Sequence, residues 1–221
     1  IPKGEALVIV GKSGCGKTVL LKSLIGLIRP DQGQILIDGQ DITRMRRKEL
    51  FRTRKKFGML FQGAALFDSM TVEENVGLPL REHTLLTQRD IRKKVSEKLG
   101  LVGLPGIEDK KPAELSGGMR KRVGLARALM MEPEIVLYDE PTTGLDPVTA
   151  ALINEMIAEM NERLKITSIA VTHDMHSAFK IGRRVAMLHS GKVIFDGSVK
   201  EFQKSQNPLV HGFLEYQRQE I

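Results

Sequence analysis

Tryptophan is absent from this chain, tyrosine occurs twice and cysteine once. With so few large rings, the core of the 221-residue chain has to be aliphatic, which suits parallel strands buried on both faces. The single cysteine, Cys15, excludes an internal disulfide, and the expected setting is a reducing, cytosolic one. No apolar run approaches the roughly 18 residues that span a bilayer, so any membrane role is expected to come through a partner. Internal repeats and low-complexity tracts are also missing, and the length suits one α/β domain. The chain starts at Ile1-Pro2 without an initiator methionine, and an apolar strand over 5–10 follows at once. An N-terminal piece carrying further strands is therefore expected to precede it.

The formal net charge of +7 is local. Arg44, Arg46, Arg47, Lys48, Arg52, Arg54, Lys55 and Lys56 face one acid, Glu49, within 44–56, and the rest of the chain balances. Such a cluster reads as a solvated helix and turn, or as a surface near anionic lipid headgroups, where each cation contributes on the order of 1 kcal/mol. Nucleic acid comes third, because only Phe51 and Phe57 accompany the cations as stacking rings.

Pattern and punctuation give the element order. The 5–10 strand leads to a Gly-rich loop and a helix over 19–25, then a short β segment, 34–37, turned at Asp38-Gly39. A strand is expected over 57–61. Thr71-Val72-Glu73-Glu74 is a capping-box sequence. Ile91, Val95, Leu99 and Val102 give one apolar face to a helix over 88–100, which Gly100 and Gly103 are expected to end. Ser116 is placed as N-cap of the next helix, with Met119, Val123, Ala126 and Met130 inward. Arg120, Lys121 and Arg122 lie near its N-terminus, where the helix dipole disfavours cations, so an anion is expected to visit that end. Ile135 to Tyr138 reads as a buried parallel strand ending in Asp139-Glu140. A helix over 148–160 should turn Leu152, Ile153, Met156, Ile157 and Met160 inward. The strand 167–171 ends at Thr172-His173-Asp174, and strands 184–188 and 192–196 form a hairpin at Ser190-Gly191. Residues 63–133 thus form a helical insertion, and 197–221 a helical tail.

Gly11-Lys12-Ser13-Gly14-Cys15-Gly16-Lys17-Thr18 satisfies G-x-x-x-x-G-K-[ST] between a strand and a helix. In such a loop backbone N–H groups close around phosphate oxygens, Lys17 reaches the β and γ phosphates, and Thr18 offers a hydroxyl to Mg2+. Asp139, after four apolar residues, fits a carboxylate holding the Mg2+ shell. Glu140 points to the other side and is placed to act as general base on a water. Alone, an acidic pair after a strand is as readily a helix cap or a solvated loop.

Together with Leu115-Ser116-Gly117-Gly118-Met119, these residues resemble the nucleotide-binding domain of ABC transporters over essentially the whole chain. The five residues match the family signature LSGGQ except for Met119. Gln62 falls at the Q-loop position, Pro141 to Asp146 match the D-loop region, and His173 matches the switch histidine. The resemblance implies an α/β P-loop NTPase with a mixed, mostly parallel sheet core (1–62 and 134–196), the inserted α-helical subdomain (63–133) and the tail. It also implies ATP and Mg2+ as ligands. Residues 11–18 and Gln62 would hold the nucleotide, and Thr18, Gln62 and Asp139 the metal. Glu140 and His173 would be catalytic, Asp146 would couple the sites across a dimer, and Ser116, Gly117 and Gly118 would cap the ATP of a second copy. The family's adenine-stacking aromatic normally lies before the first residue of this chain.

A finer resemblance lies in the run from Phe57 to Val72, in Asn75-Val76 and Pro79 to Glu82, in Met119, and in Asn207 to Val210. These resemble ATPases of Mla or MCE-associated phospholipid transport systems. The implied partners are a second copy of the ATPase, an integral membrane permease and a substrate-binding MCE-type component, with no nucleic acid. The implied place is the cytoplasmic face of the inner membrane, peripherally. Amino-acid importer ATPases share much of this framework. ABC ATPases acting on nucleic acid or ribosomes are disfavoured: about 100 residues separate Lys17 from Ser116, where chromosome-type members insert hundreds, and translation-type members carry two such domains.

Overall fold

A computed structural model describes residues 1–219, so the last two positions of the expected tail, 220 and 221, lie outside the described residues. Strand β1 (Ala6–Val10) feeds the phosphate loop and helix α1 (Lys17–Leu24). The hairpin β2 (Leu36–Ile37) and β3 (Gln40–Asp41) leads to α2 (Arg47–Arg54) and β4 (Phe57–Leu60). Three helices follow: α3 (Val72–His83), α4 (Gln88–Leu101) and α5 (Gly117–Ala128). The chain then returns through β5 (Ile135–Asp139), α6 (Pro147–Leu164), β6 (Thr167–Thr172) and α7 (Met175–Ile181). It closes with β7 (Arg184–His189), β8 (Lys192–Ser198), α8 (Val199–Gln203) and α9 (Pro208–Gln219).

Among the described residues six strands form one sheet in the order β4-β5-β6-β1-β7-β8, parallel except for the β7–β8 pair. Alternation along the strands splits the aliphatic core between two faces. Leu7, Ile9, Leu137, Ile169 and Val171 meet Leu21 of α1 on one side. Val8, Val10, Val136, Tyr138 and Ala170 join the larger cluster on the other. Burial on both faces is why these strands read as unbroken apolar runs. It also places β5, β6 and β1 side by side, with their carboxyl ends on one rim.

Helices α3, α4 and α5 pack on one another, and α5 also lies against β4. The capping box is formed: Thr71 Oγ1 accepts from Glu74 N at 3.2 Å and Glu74 accepts from Thr71 N at 2.7 Å. Ile91, Val95, Leu99 and Val102 are buried as a stripe. Gly100 does not end α4, which runs to Leu101; the chain turns at Gly103, whose φ of +64° is cheap only without a Cβ. Helix α6 extends past the expected 160, to Leu164, and its Leu152 faces solvent at 57% exposure while Ile153 and Ile157 are buried. Met130 is buried but lies beyond the end of α5.

Within the basic segment three cations are structural. Arg54 donates to the carbonyls of Ile25 and Gly26 at 2.9 and 2.8 Å, Lys56 pairs with Asp38, and Arg44 with Asp41 at 3.4 Å. Arg46, Arg47, Lys48, Arg52 and Lys55 remain exposed.

Candidate nucleotide site

The rim formed by β1, β5 and β6 gathers most of the expected residues. After β1 the loop curls over the Lys17 ammonium, which donates to the carbonyls of Gly11 at 2.7 Å and Lys12 at 3.3 Å. Gly11 has no room for a side chain, since a Cβ would stand 2.3 Å from the Leu188 carbonyl oxygen. The loop therefore sits tightly on β7. Lys12, Ser13 and Gly14 are exposed, and Cys15 is a half-buried free thiol.

Thr18, in the first turn of α1, donates its hydroxyl to Asp139 Oδ1 at 3.0 Å. Burial raises the Asp139 carboxyl above its usual pKa, against the Thr18 hydrogen bond, which lowers it. One residue on, Glu140 adopts φ +48°, a left-handed conformation that costs a non-glycine residue about 1–3 kcal/mol. Its carboxylate accepts from Thr143 Oγ1 at 3.2 Å, meets His173 Nδ1 at 2.9 Å and lies 3.7 Å from Lys17 Nζ. The strained turn thus aims two adjacent carboxylates at different partners, Asp139 at Thr18 and Glu140 at Lys17 and His173.

The same rim fits a metal–phosphate ligand. No cluster of three or more His, Cys, Asp or Glu forms a metal cage among the described residues. Asp139 and the Thr18 hydroxyl make a two-oxygen set instead. That suits Mg2+, which takes one or two carboxylates together with phosphate oxygens and waters.

Not every expected residue joins this cluster. The Gln62 side chain is exposed and has no hydrogen bond among the described residues, although its carbonyl is engaged. Asp146 is exposed and caps α6, accepting from Thr149 N at 3.0 Å; hydrogen bonds from Thr149 hold its carboxyl below the usual pKa. Ser116 caps α5, accepting from Met119 N at 3.2 Å, while Gly118 is pressed against Thr149. No hydrogen bond or ion pair among the described residues joins Ser116, Gly117 or Gly118 to the loop 11–18.

The three cations near the start of α5 have partners within the chain. Arg120 donates to the Leu115 carbonyl at 2.9 Å and Arg122 to that of Gly103 at 3.4 Å. Lys121, 5% exposed, reaches the carbonyls of Gln62 and Glu140, the latter at 3.1 Å. Burial pushes the Lys121 ammonium down to about 8.

A phosphate loop, a carboxylate pair and a histidine on the rim of a parallel sheet define a P-loop nucleotide-binding domain. The profile of the ABC transporter family matches residues 1–143, and the chain belongs to that family as an ATP-binding domain. It is 48% identical over 99% of its length to the probable ribonucleotide transport ATP-binding protein mkl of Mycobacterium leprae, and spans 63% of that relative. It is 44% identical over 97% of its length to the intermembrane phospholipid transport system ATP-binding protein MlaF of Haemophilus influenzae, covering 81% of it. Among solved structures, a dimeric ATP-binding cassette in a post-hydrolysis state with ADP and Pi superposes with a TM-score of 0.83. That pair is 34% identical, covering 90% of this chain and 87% of the other.

Proposed function

We propose that the chain is the ATP-hydrolysing motor of an ABC transporter, paired head-to-tail with a second copy and driving an integral membrane permease. The observation that carries it is the convergence of Lys17, Thr18, Asp139, Glu140 and His173 on one rim, with Thr18 3.0 Å from Asp139 and Glu140 2.9 Å from His173. The loop 11–18 holds the ATP phosphates through backbone N–H groups and Lys17. Thr18 and Asp139 would hold Mg2+, with Gln62 at its water network, and the bound ion would supply neutralisation of phosphate charge.

Glu140 is the general base that takes a proton from the attacking water. Its carboxylate now shares Lys17 and His173, and a γ-phosphate is the natural competitor for both side chains. ATP therefore frees the Glu140 oxygens for water while Lys17 and His173 turn to phosphate. Ser116, Gly117 and Gly118 complete the partner's site with the N-terminus of α5, and Asp146 connects the two sites.

For the cargo, the name of the MlaF relative supports phospholipid transport; an MCE-type component and a place at the cytoplasmic face of the inner membrane complete this reading on the resemblance of the 57–82 segment. The mycobacterial relative's name favours a ribonucleotide cargo, and lipid identified in the purified parent complex decides between them. For the motor, Glu140→Gln is expected to keep ATP affinity, lose about 100-fold or more in turnover, and trap a dimer on size-exclusion chromatography. Wild-type hydrolysis by this variant would remove Glu140 from its role.

A further inference from the structure

We propose that Lys121 is a positioning residue, holding the Glu140 backbone in its left-handed turn and fastening it to α5 and to the segment after Gln62. The proposal rests on the reading of Glu140 as the base. Lys121 stands on the second turn of α5, the helix that Ser116 caps, and its ammonium is buried. It forms no ion pair among the described residues; the nearby Glu140 and Asp139 carboxylates favour its charge, and its hydrogen bonds go to backbone carbonyls. One belongs to Gln62, two residues past β4; the other belongs to Glu140, one residue past β5. The two strands are neighbours, with Leu60 opposite Tyr138, so a single ammonium bridges the loops that leave their carboxyl ends.

A lysine that served only to fill the core would keep its ammonium near solvent, because burying the charge is costly. Here the charge is spent on two carbonyls, one of which fixes a strained residue. The Glu140 N–H donates to the Val171 carbonyl at 2.9 Å, holding one side of the residue. Lys121 holds the other. With φ at +48°, rotation back toward the ordinary region would swing the side chain away from Lys17 and His173. Two turns further along α5, Arg127 donates to the carbonyls of Ala64 and Ala65, both also left-handed. The signature helix, the 62–65 segment and Glu140 are thereby fixed to one another through two side chains of α5.

The test compares Lys121→Met and Lys121→Gln with wild type and with Glu140→Gln, measuring ATP turnover and ATP binding on the full chain. Displacing a reacting group by about 1 Å can cost up to 100-fold in rate. Lys121→Met is expected to lower kcat at least tenfold while KM for ATP stays within twofold. Lys121→Gln, a neutral amide that reaches one carbonyl, folds where the methionine variant does not, and is expected to lower kcat by a smaller factor with the same unchanged KM. Wild-type kcat in Lys121→Gln, or losses that fall equally on ATP binding and turnover, would overturn the proposal. If Glu140→Gln is inactive while both Lys121 variants turn over normally, the positioning role fails alone; if Glu140→Gln is active, the base assignment fails instead.

Discussion

Gly58→Ala probes the contact that seats α5 on the sheet. Gly58 sits in β4 opposite Val136, beneath the carboxyl end of α5. A Cβ there would stand 2.2 Å from the Ala128 carbonyl oxygen and 3.1 Å from Pro133 Cγ. The obstructing oxygen is backbone, so no rotamer change relieves it, and the strand and helix must separate by ~1 Å to reach van der Waals distance. Overpacking of this kind costs about 1–3 kcal/mol, and a fixed backbone atom places it near 3. Replacing glycine returns ~0.5–1 kcal/mol of backbone entropy and strand propensity, which leaves a net loss of about 2 kcal/mol. For a chain of this size that lowers the melting temperature by roughly 4–8 °C. Thermal melts followed by circular dichroism measure it, with Gly63→Ala as control, since a Cβ at Gly63 meets nothing within 4 Å. A Gly58→Ala protein that melts with wild type, or a control that melts as low as Gly58→Ala, would refute the close approach of β4 and α5.

Two further predictions concern the scaffold. Leu99 of α4, fully buried in the larger core cluster, leaves a cavity as alanine; the expected loss is about 3 kcal/mol, and a melting temperature within about 2 °C of wild type contradicts it. The Arg184 guanidinium grips both oxygens of Asp196 at 2.6 Å across the β7–β8 hairpin and holds its carboxyl below the ordinary 3.8. Because the folded value is the depressed one, this contribution is complete above pH 3.8 and disappears as pH falls through the folded value. The stability gap between wild type and Asp196→Asn should therefore close on acidification, and a gap that does not change with pH contradicts the pairing.

Much of the architecture is legible in local pattern, because local physics decides it. Strands buried on both faces leave unbroken apolar runs, as Ile135 to Tyr138 does, and a capping box such as Thr71 with Glu74 is a short-range device. The phosphate loop reads from eight residues because its geometry is made by neighbours. Glycine punctuation reads less well: Gly100 stays helical because the positive φ falls three residues later, at Gly103. Leu152 carries the same period as Ile153 and Ile157, but the width of the apolar stripe depends on what packs above α6. Least legible are Lys121 and Arg127. Their partners are backbone carbonyls 19 to 63 residues away, which carry no residue-type signal. Gln62 shows the converse, a motif residue whose side chain faces solvent while its carbonyl does the holding.

In the proposed dimer each ATP is served by Lys17 of one copy and Ser116 of the other. Ser116→Arg and Lys17→Ala proteins, each inactive alone, are mixed in equal amounts and assayed for ATP hydrolysis. Random pairing makes half the dimers mixed, each with one intact site, so activity near ~25% of wild type is expected from the two-fold arrangement. A mixture as inactive as its components, or one as active as wild type, would contradict shared sites.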